Sequence, residues 1–170
     1  DQKTFRENLQ AWITRYPRTD MADDAQNLIN YMDKEHPEIK ADQDKVTSKK
    51  LFRIDPDTAH LFFYLVDKKT DVNQLIFNLI NFNLDNFDKL NLIAEIADLN
   101  PRQNMVVVKT FRNKDAVMKY LNVIKSSDDV RKDIPDIPLT PCAISVENFT
   151  ILKTNKSADL YIPFFNENYQ

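Results

Sequence analysis

Few residues of this chain could take part in acid–base or nucleophilic chemistry. The 170 residues include one cysteine, Cys142, and two histidines, His36 and His60. A single cysteine excludes an intrachain disulfide and a metal site built on cysteines. Its apolar neighbours Ala143 and Ile144 indicate a buried thiol, and buried thiols are inert. His60 begins an apolar segment, where we expect a hydrogen-bonded structural histidine rather than a ligand.

The carboxylates give no catalytic pair either. Glu95 and Asp98 lie three residues apart in a predicted strand, so their side chains point to opposite faces. Asp128–Asp129 and Asp133–Asp136 belong to a charged loop, which we expect to be a solvated acidic loop rather than a weak cation site. The sequence therefore predicts no catalytic residue, no metal site, no cofactor site and no enzyme activity.

Glycine is absent from the chain. The phosphate-binding loops, the dinucleotide fingerprint and the nucleophile elbow all need glycine where the backbone takes positive φ or approaches a ligand. Asparagine, with 17 residues, is the next best tolerated residue at positive φ, so we expect it to end helices and form turns.

The charge and hydropathy of the chain bear on two further classes of partner, nucleic acids and membranes. The 23 basic and 26 acidic residues give a formal net charge of −3, which offers no basic footprint for nucleic acid. No apolar run reaches the roughly 18 to 20 residues of a spanning helix. We expect neither a nucleic-acid partner nor a membrane span.

The hydrophobic pattern predicts an α+β fold with the order β-α-β-β-α-β over residues 58–170. That order is typical of a ferredoxin-like sandwich, with the first and third strands central. The first helix has one apolar stripe, made by Val72, Leu75, Ile76, Leu79 and Ile80. The second helix is predicted over Lys114–Lys125. The four strands are predicted over His60–Asp67, Lys89–Asp98, Met105–Phe111 and Pro141–Val146.

Two further segments precede this sandwich. Residues 1–35 have the spacing of a helical hairpin, with Asp20 as the cap of its second helix. The hairpin is interpreted as the end of a tetratricopeptide-like array, whose units stack because one alone cannot bury its apolar face; the alternative is an ordinary helical hairpin. Residues 36–57 are polar and unpatterned, which predicts a mobile linker, with a short edge strand near Leu51–Ile54.

Alternation along the central strands predicts which residues face the helices. We expect one core made of Leu61, Phe63, Val106, Val108, Leu75, Leu79, Val117, Leu121 and Ile144, with Leu65 on the same sheet face. The opposite face would carry His60, Phe62, Tyr64, Met105, Val107 and Lys109.

We expect the aromatic tail, Leu160–Tyr169, to pack on that opposite face, with Pro163 beginning a shorter helix. The alternative is an open face on which His60, Phe62, Tyr64 and Lys109 bind a ligand.

Three motifs together resemble a known family. They are the tetratricopeptide-like ending, the strand His-x-Phe-x-x-x-x-Asp with the block Met-Val-Val-Val-Lys-Thr-Phe-x-Asn-Lys-x-Ala-x-x-x-Tyr, and the tail Tyr-x-x-Phe-Phe-x-x-Asn-Tyr. This combination resembles the C-terminal region of the tetratricopeptide lipoproteins of Bacteroidota, of the PorW/SprE type. The resemblance implies a periplasmic, outer-membrane-associated scaffold for type IX secretion or gliding, with other envelope proteins as partners.

The block from Met105 to Tyr120 also resembles SPOR domains, which are ferredoxin-like modules that bind peptidoglycan. Their consensus has a glycine where this chain has Lys109–Thr110. This second resemblance implies the alternative function, which is glycan binding by the open sheet face.

Overall fold

The computed structural model describes residues 1–170 and combines seven α-helices with one four-stranded sheet. The predicted α+β class is therefore confirmed. The chain divides into two compact units, Asp1–Thr47 and Ser48–Gln170. No helix is both long enough and apolar enough to cross a bilayer.

The first unit contains the predicted helical hairpin. Helix α1 spans Gln2–Arg15 and α2 spans Asp20–Glu35, and the two pack together. Thr19 caps α2, since its Oγ1 accepts a hydrogen bond of 3.1 Å from the Ala22 amide. Asp20, the predicted cap, is instead the first residue of α2. Both residue types suit a helix N-terminus, and a one-residue difference is the usual margin at helix ends.

Arg6 links three helical segments of this unit. Its guanidinium donates to both carboxylate oxygens of Asp33, at 2.6 and 2.9 Å, and to Oε1 of Gln43. The hydrogen bond to Asp33 raises the pKa of Arg6 above its ordinary value. The buried apolar side chains of the unit come from α2 alone, namely Ala22, Ala25, Ile29 and Met32. A small apolar core and one two-point ion pair therefore hold the unit together.

The expected unpatterned linker is wrong in its secondary structure. Helix α3 spans Pro37–Leu51, and no strand forms near Leu51–Ile54. Phe52, directly after α3, is 4% exposed and contacts the rings of Tyr161 and Phe164 at 5.0 and 5.7 Å. A local pattern could not reveal this burial, because the partners lie more than a hundred residues away.

The second unit contains the sheet, four α-helices and two short 3-10 turns. Its strands pair antiparallel in the order β2-β3-β1-β4, so β1 and β3 are central, as predicted. The bounds are β1 His60–Asp67, α4 Asn73–Phe87, β2 Ile93–Asp98, β3 Gln103–Phe111, α5 Lys114–Lys125, β4 Thr140–Ser145, α6 Val146–Asn155 and α7 Ala158–Asn168. Strand β2 begins four residues later than predicted, because α4 continues to Phe87 and a 3-10 turn follows at Asp88–Leu90.

The predicted assignment of the two sheet faces is wrong for β1, whereas Val106 and Val108 lie on the side of α4 and α5 as predicted. Phe62 contacts the ring of Tyr120 on α5 at 5.1 Å, whereas Phe63 faces Tyr161 on α7 at 6.3 Å. Phe62 pairs with Val108 and Phe63 with Val107, so Val108 shares a face with Phe62 and not with Phe63. Strands that are apolar at every position give no alternation, and a one-residue shift in register exchanges the faces.

All nine predicted core residues are nevertheless buried in one cluster, with exposed fractions of 5% or less. The cluster extends through both faces of the sheet because the sheet is covered twice. Helices α4 and α5 supply Phe82, Phe87 and Tyr120 on the Phe62 face. Helix α7 supplies Tyr161 on the Phe63 face. The unit therefore has three layers.

The tail docks on this unit as predicted, but it covers the face that carries Phe63 and not the predicted face of Phe62 and Tyr64. Tyr161 is fully buried and its hydroxyl donates to the carbonyl of Ala143 at 2.5 Å. Phe164 and Phe165 are also buried. Helix α7 continues through Pro163, against our expectation of a break. The missing N–H removes one helical hydrogen bond, and the burial of rings on both sides of Pro163 offsets that loss.

Replacing Phe63 with alanine should lower the free energy of unfolding by about 3 to 5 kcal/mol, because the ring is 1% exposed and its loss leaves a cavity. Urea unfolding followed by circular dichroism measures this. The control is Phe77→Ala on α4, where the ring is 58% exposed, and this variant should change stability far less. Equal costs at the two positions would contradict the burial of Phe63.

Deleting residues 158–170 should lower the unfolding midpoint and increase the fluorescence of a hydrophobic dye in the native buffer. The deletion uncovers Phe52 and Phe63, which Tyr161 contacts. Tyr161→Phe serves as the matched control, because it keeps the ring and removes only the hydroxyl bonded to Ala143. We expect the control to bind no additional dye. A deletion variant that melts like the parent would show that the tail does not stabilise the fold.

Candidate functional site

Cys142 has the surroundings of a structural residue. Its side chain lies in β4, is 1% exposed, and burial raises the pKa of its thiol to about 12. A thiol with that pKa is almost wholly protonated at neutral pH and is a poor nucleophile. The prediction of an inert, buried cysteine agrees with this geometry.

His60 is held between two partners inside the fold. Its Nδ1 lies 2.8 Å from the carbonyl of Thr58, and its Nε2 lies 2.9 Å from the hydroxyl of Tyr169. A carbonyl can only accept, so Nδ1 carries the proton and Nε2 accepts from Tyr169. Desolvation lowers the pKa of His60 below its ordinary value of 6.5. The imidazole is therefore a neutral link between β1 and the end of α7, as the predicted structural role requires.

The acidic residues also have structural partners. Glu95 forms an ion pair of 2.5 Å with Lys109, and Asp98 pairs with Lys68. No group of three or more His, Cys, Asp or Glu side chains is close enough to hold a metal ion. A residue of α4 holds the acidic loop in place. The Nδ2 of Asn78 donates to the carbonyls of Val130 and Lys132 at 3.0 and 2.7 Å.

The structure does not bring the four predicted binding residues to one exposed surface. His60 and Phe62 are completely buried and Tyr64 is 5% exposed. Lys109 alone remains partly exposed, and it is paired with Glu95. The rings of Phe62 and Tyr64 contact each other at 4.9 Å below helix α5. An incoming sugar therefore has no aromatic ring to stack on at these positions.

Exposed apolar side chains of the second unit concentrate elsewhere, on α4, β2 and the turn between them. Of the nine large apolar side chains that this unit exposes, six lie between residues 77 and 96. We call these six the α4–β2 surface: Phe77, Ile80, Leu84, Leu90, Ile93 and Ile96. Their exposed fractions range from 43% to 63%. Ile93 and Ile96 lie three residues apart in β2 and point to opposite sheet faces, so the surface follows α4 and wraps the β2 edge. Exposed apolar side chains concentrated in this way typically mark a protein-binding surface.

Two local features produce this surface. Helix α4 is apolar almost all round: Leu75, Leu79 and Phe82 point into the core, while Phe77 and Leu84 point outward. Strand β2 is the edge strand beside β3, and helix α4 packs against it. The predicted apolar stripe on α4 accounts for its buried side, but it includes Ile80, which is 43% exposed. The missed signal is the second apolar row at residues 77, 80 and 84, which a surface helix does not need.

The second unit also has two surface grooves. One, of about 640 Å³, lies between the β2–β3 turn and the start of α7, with Asp67, Arg102 and Lys156 among its lining residues. The other, of about 470 Å³, lies between the end of α4 and the start of α5, with Phe87 and Phe111 among its lining residues. Neither groove is lined by a histidine or a cysteine. The chemistry that these surfaces offer is therefore apolar and electrostatic contact.

His60→Gln should cost less stability at low pH than at neutral pH. The folded-state pKa of His60 is depressed, so its contribution is present above the unfolded value of about 6.5 and is lost as the pH falls through the folded value. Urea unfolding of parent and variant at pH 7.5 and pH 5 measures the change. His36→Gln, at a histidine with an exposed side chain, is the control. The same cost of His60→Gln at both pH values would refute a depressed pKa.

Comparison of the chain with known protein families, with curated proteins and with solved structures finds no match. The case for a function therefore depends on the residues and on the geometry described above.

Proposed function

We propose that this chain is a non-catalytic protein-interaction module that serves as a scaffold. One observation carries the proposal: the α4–β2 surface exposes six large apolar side chains, while Cys142 and His60 are buried and Glu95 and Asp98 are ion-paired. Exposed isoleucine, leucine and phenylalanine side chains gain free energy when a partner covers them. A surface of this kind is suited to holding another protein.

The first unit supports a scaffold role independently. Its helical hairpin leaves aromatic rings exposed, with Phe5 at 48%, Trp12 at 42% and Tyr31 at 62%. Helix α1 has no buried residue. Repeat units have this property, because each one buries its apolar faces only when a neighbour stacks on it. We propose that the hairpin is a tetratricopeptide-like unit that stacks on a further helical pair.

The second unit supports a ferredoxin-like assignment. Its β-α-β-β-α-β order, the spatial order β2-β3-β1-β4 and the antiparallel pairing throughout are those of a split βαβ sandwich. The helices α6 and α7 are additions that cover the second sheet face. This fold hosts many functions, so the assignment describes the architecture of the module and not its activity.

The sequence motifs extend the proposal to a cellular setting. We place the chain with the C-terminal regions of Bacteroidota tetratricopeptide lipoproteins of the PorW/SprE type, on the outer-membrane side of the periplasm. Its partners would be envelope proteins of type IX secretion or gliding. The support is the resemblance of the strand, helix and tail motifs. The glycan-binding alternative required exposed aromatic rings at Phe62 and Tyr64, which are buried.

Capture of partners from native membranes tests the proposal. The full chain is the bait, and Leu84→Glu introduces a charge at a side chain that is 63% exposed on the α4–β2 surface. Val123→Glu, at an exposed position of α5, is the matched control. We expect the parent and Val123→Glu to retain the same envelope proteins, and Leu84→Glu to lose them. Identical proteins on all three baits would contradict a role for this surface.

A further inference from the structure

Strand β2 presents an open sheet edge. It pairs with β3 on one side only, and no further backbone hydrogen bond involves residues 93–98. The opposite edge of the sheet, β4, contains Pro141, and helices α5, α6 and α7 all contact it. An unpaired edge offers a row of N–H and C=O groups to another strand. Of the two sheet edges, only β2 is therefore available for pairing.

The β2 edge lacks the usual devices that prevent such pairing. Strand β2 has neither proline nor lysine, and the irregularity in the sheet lies between β1 and β3 instead. Its two carboxylates are already partnered within the chain, Glu95 by Lys109 and Asp98 by Lys68. Its apolar side chains Ile93 and Ile96 are 57% and 50% exposed. Natural edge strands of this kind are normally covered.

The charge of the adjoining helix indicates what covers the edge. In a two-fold symmetric interface each patch meets its own copy, so any net charge on it would face the same charge. Among the fifteen residues of α4, the only ionisable side chain is Asp85. Apart from this residue, α4 and β2 present ion-paired carboxylates and uncharged side chains. This near-neutrality fits a second copy of the chain, and it gives an anionic membrane nothing to attract.

The exposed apolar side chains of β2 fit as well. Ile93 and Ile96 lie three residues apart and therefore point to opposite faces of the sheet, and both are at least half exposed. A second strand paired with β2 would cover both of them at once.

We infer that two copies of this chain pair through β2, which joins their sheets into one continuous antiparallel sheet with the two α4 helices on the same face. The inference rests on the proposed interaction role and adds a second copy of the chain as a partner at the β2 edge. A two-fold axis perpendicular to the sheet requires one residue of β2 to lie opposite itself. Only axes at Glu95 or Ile96 keep most of residues 93–98 paired. The axis at Glu95 would oppose two carboxylates, which is unfavourable, so Ile96 lies on the axis.

A single cysteine at residue 96 tests this arrangement. Directly opposed residues of antiparallel strands have Cβ atoms about 4.5 to 5.5 Å apart, near the range of a disulfide. The native Cys142 is buried, with a thiol pKa of about 12, and does not interfere. Mild oxidation should convert Ile96→Cys to a covalent dimer on a non-reducing gel at least tenfold faster than Val123→Cys, an exposed control on α5. Light scattering of the parent should give twice the 20.0 kDa chain mass.

Three outcomes would overturn the inference. The parent could remain a monomer at several hundred micromolar, or Ile96→Cys could cross-link no faster than Val123→Cys. A dimer that persists unchanged in an Ile96→Lys variant, which places two charges on the axis, would place the interface elsewhere. Because these measurements use the purified chain alone, their failure is distinguishable from failure of the proposed function. A monomer that still captures envelope proteins through Leu84 would keep the function and remove the dimer, with a heterologous partner on this surface.

Discussion

The central constraint on the second unit is that strand β1 is buried on both of its faces. Every residue from His60 to Val66 is buried, so the strand requires cover from two directions. Helices α4 and α5 cover the side of Phe62, and α7 covers the side of Phe63. The remaining elements follow from this requirement. Burying a ring such as Phe63 contributes about 1.5 to 3 kcal/mol relative to leaving it exposed, and this gain helps to order the C-terminal segment that covers it.

Asparagine side chains fasten the irregular segments around this core. Asn148 is fully buried and binds the backbone of Arg53 at two points, accepting from its N–H at 3.1 Å and donating to its carbonyl at 2.8 Å. Asn78 holds the acidic loop, and Asn83 accepts from Tyr120 at 2.7 Å. A side-chain amide can donate and accept at once, so it can pair both the N–H and the C=O of one backbone residue, as a neighbouring strand would. Asparagine takes only one of the four positions at positive φ, Asn91, and the other three belong to Arg18, Asp133 and Lys156.

The sequence was sufficient for the parts of the fold that have their own periodicity. Strand His60–Asp67 and helix Lys114–Lys125 lie where the pattern predicts them, and Asn113 caps the helix. Residues whose environment is set by distant partners could not be predicted in this way. Phe52 looked like part of a linker because its partners are in α7. The two faces of β1 were exchanged because every residue from His60 to Val66 is buried, so no alternation of burial fixes the phase of the strand. For the same reason Phe62 and Tyr64 were expected at a binding surface and are instead in the core.

The docking of α7 also matters during translation, because this helix is the last helix of the described chain to be synthesised. Tyr161 and Phe164 complete the cover over Phe52 and Phe63, yet they are synthesised about a hundred residues later than those two. During translation the sheet can form and α4 and α5 can pack on it while its second face is still bare. Synthesis proceeds at roughly 5 to 20 residues per second, so that face stays uncovered for seconds on each ribosome. A chaperone that shields apolar sheet surface would have its natural substrate in this interval, before residue 168 has emerged.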